Sequence, residues 1–160
     1  APMTYQIEGE QYVAVMAGIG GGPLSFVPPA GSAADFRGNQ GRVLAFKLGG
    51  GATPKPALLP PAPPFPEPPP QTASADVVAR GTGLFALYCG RCHANATTHG
   101  STPDLRRMSA DTHAAFKQIV LGGALRARNM PRWDDVLNDA DAEAIHAYVV
   151  SIAWDAYRAQ

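Results

Sequence analysis

The chain has 160 residues, room for one ordinary domain or for one small domain with an appendage. Its 13 lysine and arginine residues balance its 13 aspartate and glutamate residues, which argues against a nucleic-acid-binding protein, since such proteins carry a basic excess. The longest apolar run, residues 147–154, is far shorter than the ~18 residues of a membrane-spanning helix. The N-terminal residues lack the charged and apolar regions of an export signal, so we expect any such signal to have been removed or to lie elsewhere.

Residues 1–50 predict β-structure. Two β-rich runs, "MTYQI" and "QYVAVMA", are joined by a short Glu-Gly-Glu loop, which is a hairpin signal. A Gly- and Pro-rich segment follows, whose glycine cluster at 20–22 lacks the helix context of a phosphate-binding loop. Three strands are few for an independent fold and leave open edges, so we expect one antiparallel sheet whose other neighbours come from outside this chain. The predicted strands are Met3–Ile7, Gln11–Ala17 and Arg42–Lys47.

Proline is concentrated in a predicted linker. Ten of the 16 prolines lie between Pro54 and Pro70. Proline fixes φ and has no N–H to donate, so this run is neither helix nor inner strand. We expect an extended, polyproline-like spacer in which ~20 residues span ~60 Å. Phe65 and the pair Leu58-Leu59 suggest a path along a surface, but the preferred interpretation is a plain linker without such contacts. The chain thus divides into residues 1–50, a linker over 51–75, and residues 76–160.

The third segment, residues 76–160, predicts a mainly α-helical domain. An apolar pattern runs from Val77 to Tyr88 and leads directly into a pair of cysteines. Ser109 is a predicted N-cap, and Asn138 or Asp139 caps the last helix, whose first turn is acidic as the helix dipole favours. Three helices with long loops between them leave space for a bulky group in the middle.

The stretch "CGRCH" holds the only two cysteines, Cys89 and Cys92, followed at once by His93. In c-type haem attachment two thiols in this spacing bind the haem edge and the histidine binds the iron. A redox CxxC motif requires a βαβ setting, a zinc site requires two further ligands, and a plain disulfide does not require His93. We therefore predict covalent haem c on Cys89 and Cys92, with His93 as an axial iron ligand.

Four residues are candidates for the sixth iron ligand. Met130 lies in a loop between the two later helices, and Pro131 stiffens the backbone after it. Met108 lies just before a helix cap, where it can also pack on the haem. His113 lies in the first turn of a helix, where we expect it to be exposed, and His146 lies in the middle of one. We predict Met130; with both axial positions filled, the iron transfers electrons and has no site for substrate.

Two arginine pairs are candidate partners for the haem propionates, which need pairing or solvent when buried. A surface position is the ordinary one for each arginine, including Arg106 and Arg107. Arg126 and Arg128 precede Met130 by four and two residues and are the better candidates for propionate contacts.

Residues 76–160 resemble a class I cytochrome c domain, in which Gly81 and Phe85 stand where the first and last helices cross and Tyr148 is the opposing aromatic residue. More specifically, "TPDLRR", "THAAFKQIVLGGALRARNMP" and "DAEAIHAYV" resemble the cytochrome domain of quinohaemoprotein alcohol dehydrogenases. The segments "PMTYQIEGEQYVAVMAG" and "GRVLAFKLGG" resemble the closing strands of the eight-bladed β-propeller of these enzymes. One departure is Ile19, where the family usually has tryptophan.

The resemblance implies that electrons leave reduced pyrroloquinoline quinone in the propeller, reach the haem of this domain and pass to an external acceptor, such as another cytochrome, a copper protein or a quinone. The quinone pocket, the calcium ligands and the catalytic aspartate belong to earlier blades, so we expect no catalytic residue in this chain. The remaining blades are then a separate chain or a missing N-terminal part, and the protein is exported to the bacterial periplasm. The alternative is a free-standing carrier cytochrome c with an N-terminal extension, against which three unsatisfied strands argue.

Overall fold

The computed structural model describes residues 1–18, 31, 37, 41–93 and 102–160. The predicted glycine cluster at 20–22 and Ile19 lie outside these residues. Within the described ranges, no helix has both the length and the apolarity needed to cross a membrane. The strands are β1 (Met3–Ile7), β2 (Glu10–Ala17) and β3 (Arg42–Lys47). The α-helices are α1 (Ala75–Leu84), α2 (Gly90–His93), α3 (Ala110–Ala114), α4 (Phe116–Val120) and α5 (Asp139–Arg158).

The three strands form one antiparallel sheet in the order β1-β2-β3, at the predicted positions, with β2 beginning one residue earlier. Glu8 and Gly9 connect β1 to β2 with φ values of 52° and 82°. Positive φ at both residues of a two-residue turn matches the right-handed twist of the strands, which is why Gly suits the second place. The sheet thus has its predicted topology, with β1 and β3 as its outer strands.

Apolar side chains are exposed on both faces of this sheet. Met16 and Val43 are directly opposed on β2 and β3, with 85% and 67% of their surface exposed. Val13 and Phe46 form another cross-strand pair, and each is 42% exposed. Because side chains alternate along a strand, Met16 and Val13 point to opposite faces. Neither face of the sheet therefore has a complete apolar cover within the described part of the chain.

The helical domain is organised by the crossing of α1 and α5. A Cβ atom at Gly81 would lie 1.9 Å from the Ala144 carbonyl oxygen, so only glycine allows this approach. One turn further, the Phe85 and Tyr148 rings meet at 5.1 Å between centroids. The crossing is the one that the resemblance implied. It closes a core whose buried members are Phe85, Met108, Phe116, Val120, Leu137, Ile145 and Val149.

The predicted helix caps are present. The Ser109 hydroxyl accepts a hydrogen bond from the Thr112 N–H at 3.2 Å, and Asn138 forms a reciprocal capping box with Asp141. The predicted helix over Val77 to Tyr88 differs from the structure, because α1 ends at Leu84 and continues as a π-helical turn over Phe85–Cys89. The apolar pattern continues through this turn, so periodicity did not reveal it.

The linker is extended and contacts both parts of the chain. Near its start, the Arg42 Nη1 donates to the Pro54 carbonyl oxygen at 2.7 Å. Near its end, the Trp154 indole N–H donates to the Pro69 carbonyl at 2.8 Å, and the Gln71 amide donates to the Ala147 carbonyl at 2.8 Å. The last linker residues therefore lie along α5.

Candidate functional site

The π-helical turn at the end of α1 positions the two cysteines. Cys89 is the last residue of this turn, and Cys92 lies in the short helix α2 that follows it. The Gly90 N–H donates to the Phe85 carbonyl, five residues back, which inserts one residue relative to an α-helical turn. Cys89 is half-buried against the apolar core, whereas Cys92 is exposed. Burial, with a smaller contribution from Cys92, raises the pKa of the Cys89 thiol to about 11. Redox-active CxxC motifs have lowered thiol pKa values, so this value argues against thiol exchange as the function of the pair.

His93 presents a buried ring nitrogen. Its Nδ1 is shielded from solvent and has no hydrogen bond of regular geometry within the described part of the chain. Burial lowers the pKa of His93, and the neighbouring backbone of Pro103 opposes this shift. The ring is therefore neutral at pH 7, as a metal ligand must be, and the shielding of Nδ1 leaves Nε2 as the nitrogen for a metal.

The two other candidate histidines bind each other. The His113 Nδ1 and the His146 Nε2 lie 2.9 Å apart, and the Phe116 ring stacks on His146 at 4.6 Å between centroids. His113 is only 8% exposed, so the expectation that it is exposed was wrong: the packing of α3 against α5 covers it. The contact uses one nitrogen of each ring and places both histidines beside Phe116, where α3 and α4 pack against α5.

The two candidate methionines differ in their surroundings. Met108 is buried in the core, immediately after a 3-10 turn over Leu105–Arg107. Met130 is half-buried and borders a groove of about 710 Å³. Asn129 has a φ of 65°, a left-handed conformation that Asn tolerates well, and it turns the chain so that Met130 reaches this groove. The groove is lined by Arg126, Asn129, Met130, Pro131, Arg132, Asp134 and Asp135.

The arginines separate into two groups. Arg126 lines the groove beside Met130, whereas Arg128 is exposed and does not line it. Arg106 and Arg107 are engaged elsewhere, because both pair with the Asp104 carboxylate. Of the two predicted propionate partners, Arg126 is thus the one that shares a surface with Met130.

A contact between aromatic rings connects the cysteine segment with the methionine segment. Tyr88 precedes Cys89 and meets the ring of Trp133, three residues after Met130, at 5.7 Å between centroids. Cys89 and Met130 also pack against the same apolar core, although Cys89, Cys92 and His93 do not line the groove. The neutral ring of His93 and the exposed thiol of Cys92 fit the ligation and attachment of a haem c group.

Sequence reasoning missed Asp104 and Trp133. Asp104 stands just before two arginines, and this spacing was a readable signal for an ion pair. The contact of Trp133 with Tyr88 joins positions 45 residues apart, and the sequence carries no signal for it.

Residues 76–149 match the family described as cytochrome c oxidase, cbb3-type, subunit III. Together with the geometry above, this match identifies the helical part as a cytochrome c domain, which implies haem c as its cofactor. The chain as a whole is related to the C-terminal, cytochrome-bearing part of quinohaemoprotein alcohol dehydrogenases.

Two curated relatives and one solved structure illustrate this relationship. The chain is 39% identical to the quinohemoprotein alcohol dehydrogenase ADH IIB of Pseudomonas putida, over 100% of this chain and 23% of that protein. It is 32% identical to the 1-butanol dehydrogenase (cytochrome c) of Thauera butanivorans, over 99% of this chain and 22% of that protein. The solved quinohemoprotein alcohol dehydrogenase ADHIIG of Pseudomonas putida HK5 superposes with a TM-score of 0.77 at 34% identity, over 99% of this chain and 23% of that one. The chain therefore spans less than a quarter of the length of these relatives.

Proposed function

We propose that this chain is the electron-exit portion of a quinohaemoprotein alcohol dehydrogenase. It accepts electrons from reduced pyrroloquinoline quinone held in a β-propeller and delivers them to an external acceptor. The observation that carries the proposal is the similarity to such enzymes over the whole of this chain, which includes the sheet and the linker as well as the cytochrome c domain. The names of the relatives support an alcohol as the electron source. By the same analogy, the protein acts in the bacterial periplasm.

Four side chains are proposed to hold the haem. Cys89 and Cys92 form the covalent attachment, His93 is one axial ligand and Met130 is the other. When bound, haem c supplies a one-electron iron centre. The chain contributes neutral His93 for ligation and holds the Met130 turn in place through the hydrogen bond of the Met130 N–H to the Leu125 carbonyl at 3.3 Å. Arg126 is proposed to pair with a propionate, and Arg128 has weaker structural support for this role.

The sheet supports attachment to a larger β-structure. Its outer strands, β1 and β3, each offer a row of backbone groups for further strands, and its two faces carry exposed apolar residues such as Met16 and Phe46. Soluble proteins usually cover or charge such edges and rarely leave large apolar patches exposed. We therefore propose that residues 1–50 complete a propeller whose other strands, together with the quinone and calcium, lie outside this chain. A free-standing carrier cytochrome has no use for this surface.

The test is reduction of the haem by substrate in the native assembly. The protein is purified with its bound components, its intact mass and cofactors are determined, and the haem absorption is followed after a primary alcohol is mixed in. Haem reduction within the turnover time, with quinone present in the preparation, is the expected result. A haem-containing protein of the mass of this chain alone, which alcohol fails to reduce, would identify a carrier cytochrome instead.

The assignment of Met130 has a separate test in the haem-loaded chain. Met130→Ala is expected to abolish the weak far-red band of thioether ligation to ferric iron and to lower the reduction potential, because methionine ligation raises it. Met108→Ala is the matched control, since it removes the same side chain from the core. It is expected to retain the band while lowering the free energy of unfolding by ~2–4 kcal/mol. The reverse pattern would assign the ligand to Met108.

A further inference from the structure

Phe65 is the only aromatic residue of the linker, and two arginines of the cytochrome c domain lie over its ring. The Arg107 guanidinium carbon lies 3.9 Å from the ring centroid, and that of Arg106 lies 4.9 Å from it. A planar guanidinium stacks well on an aromatic face because it combines a delocalised charge with weak hydration. The contact joins the proline-rich segment to the 3-10 turn of residues 105–107.

The backbone around Phe65 is held as well. The Arg107 Nη1 donates to the carbonyl oxygens of Pro63 at 2.6 Å and Pro64 at 3.2 Å. At the other end of the chain, Gln160 accepts from the Phe65 N–H at 2.7 Å and donates to its carbonyl at 3.4 Å. Prolines have no N–H, so Phe65 is one of the few positions in this run that can form such a pair.

Asp104 fixes the two arginines in position. Its carboxylate accepts two hydrogen bonds from the Arg106 guanidinium, at 2.9 and 2.8 Å, and lies 3.7 Å from the Arg107 Nε. The Asp104 side chain is only 6% exposed, so this carboxylate is pre-organised. The two arginines are therefore held by a buried carboxylate in the same turn.

We propose that Phe65, Arg106 and Arg107 form an anchor that fixes the linker on the cytochrome c domain and so positions the haem relative to the sheet. The anchor rests on the proposed function, because positioning matters only if electrons arrive from outside this domain. From the last residue of β3 to the first of α1 is 28 residues, 47 to 75. The Arg42 side chain of β3 donates to the Pro54 carbonyl at 2.7 Å, so nine residue steps, from 54 to 63, lie between the two held positions. At ~3.1 Å per step that segment spans ~28 Å, against ~87 Å for the 28 steps.

The first arm of the test uses the full haem-loaded chain and measures amide hydrogen exchange at residue 65, corrected for intrinsic rates. Phe65→Ala is expected to accelerate exchange about fivefold or more. The reason is that loss of the cation–π contact makes local opening of the linker at residue 65 more favourable. Phe65→Tyr retains an aromatic face and is expected to restore slow exchange. Leu59→Ala, a truncation at an exposed linker position, is the matched control and is expected to leave residue 65 unchanged. Equal exchange in wild type and Phe65→Ala would overturn the anchor.

The second arm measures the rate of haem reduction by substrate in the native assembly. Phe65→Ala is expected to slow this rate at unchanged haem spectrum and reduction potential, and Phe65→Tyr is expected to restore it. If the wild-type haem is not reduced at all, the proposed function fails and the positioning role fails with it, whatever the exchange data give. If wild type and Phe65→Ala reduce equally fast although exchange is accelerated, the contact exists but does not position the haem, and the proposal is overturned.

Discussion

The sheet of residues 1–50 and the helical domain of residues 76–160 differ in what covers their apolar side chains. In the helical domain, Val149 is completely buried and Ile145 is 1% exposed, so the domain closes its own core. In the sheet, Ala14 is the buried apolar residue, and Met16 on the same strand is 85% exposed. Ordering a residue costs ~1–2 kcal/mol of backbone entropy, which must be offset by burial. The helical domain has this compensation within the described chain, and the sheet does not.

The largest expected effect is the difference in hydrogen exchange between the two parts. In the full chain prepared without a partner, amides of α5 such as that of Val149 are expected to exchange only through global unfolding of the domain. Amides of β2 such as that of Val15 are expected to exchange at least ~10³-fold faster, because local opening there exposes little additional apolar surface. Mass spectrometry of peptides from each element measures both. Slow exchange throughout the strands in a proven monomer would show that the sheet is stable alone and would remove the main support for a divided propeller.

Two glycines of α1 offer a sharper test of the helical core. Gly81→Ala places a Cβ 1.9 Å from the Ala144 carbonyl oxygen, and it is expected to force α1 and α5 apart at a cost of ~3 kcal/mol or more. Gly83→Ala makes the same change two residues later, where the Cβ would meet no other part of the described chain within 4 Å. It is expected to be neutral or to stabilise by ~0.5–1 kcal/mol, because alanine favours the helix. Urea unfolding measures the free energy of unfolding of both variants. A similar decrease in both would contradict this crossing of α1 and α5.

Features that depend on neighbouring residues could be read from the sequence. The Glu8-Gly9 turn and the caps at Ser109 and Asn138 were predictable because each is a contact between a side chain or turn residue and the backbone a few positions away. The spacing of the cysteine pair and its histidine is also a local signal, and the haem-binding roles that it predicts for them remain predictions. In these cases local chemistry determines local structure.

Features that depend on packing could not be read. His113 lies in a first helical turn, which predicts exposure, yet α5 brings His146 onto it from 33 positions away. Phe65 had no partner in sequence, and its two arginines follow by about 40 residues. The propionate roles of Arg126 and Arg128 remain predictions for the same reason: their partner is a group outside the polypeptide.

The histidine pair gives the helical domain a pH dependence. Burial, and then the neighbouring His146, lowers the pKa of His113 from 6.5 to about 4, and burial lowers the pKa of His146. Between these values the unfolded chain binds more protons than the folded chain, so the free energy of unfolding decreases as the pH falls from about 6.5 to about 4. The expected loss for His113 is on the order of 3 kcal/mol at most.

Urea unfolding of the helical domain between pH 7 and pH 4.5 measures this dependence. His113→Gln is the comparison variant, because it keeps a polar side chain and removes the titration. Its stability is expected to fall less steeply than that of the wild type across this range. If the free energies of unfolding of the two proteins instead fell in parallel with pH, the buried pair would not take up protons on unfolding. Other groups would then cause the acid sensitivity.

The smallest expected effects compare one polar contact from each part. The Asn138 side chain accepts from the Asp141 N–H at 3.1 Å at the start of α5, where four N–H groups otherwise lack partners. Asn138→Ala is therefore expected to cost ~1 kcal/mol. In the sheet, Lys47 pairs with Glu10 at 2.5 Å, but both side chains are substantially exposed, at 41% and 56%. Glu10→Gln is expected to change stability by less than ~0.5 kcal/mol, because water and salt screen such a pair.

Both variants can be measured in the same full chain, by hydrogen exchange at α5 and at β2. Asn138→Ala is expected to accelerate exchange throughout α5, since the cap contributes to the cooperative unit that includes the core. Glu10→Gln is expected to leave exchange in β2 unchanged, because a screened ion pair adds nothing to a sheet that lacks its apolar cover. If Glu10→Gln instead accelerated exchange in β2 as much as the loss of the cap does in α5, the ion pair would be part of a stable folded unit. The sheet would then have to be regarded as a structure in its own right, and its exposed apolar faces would need another explanation.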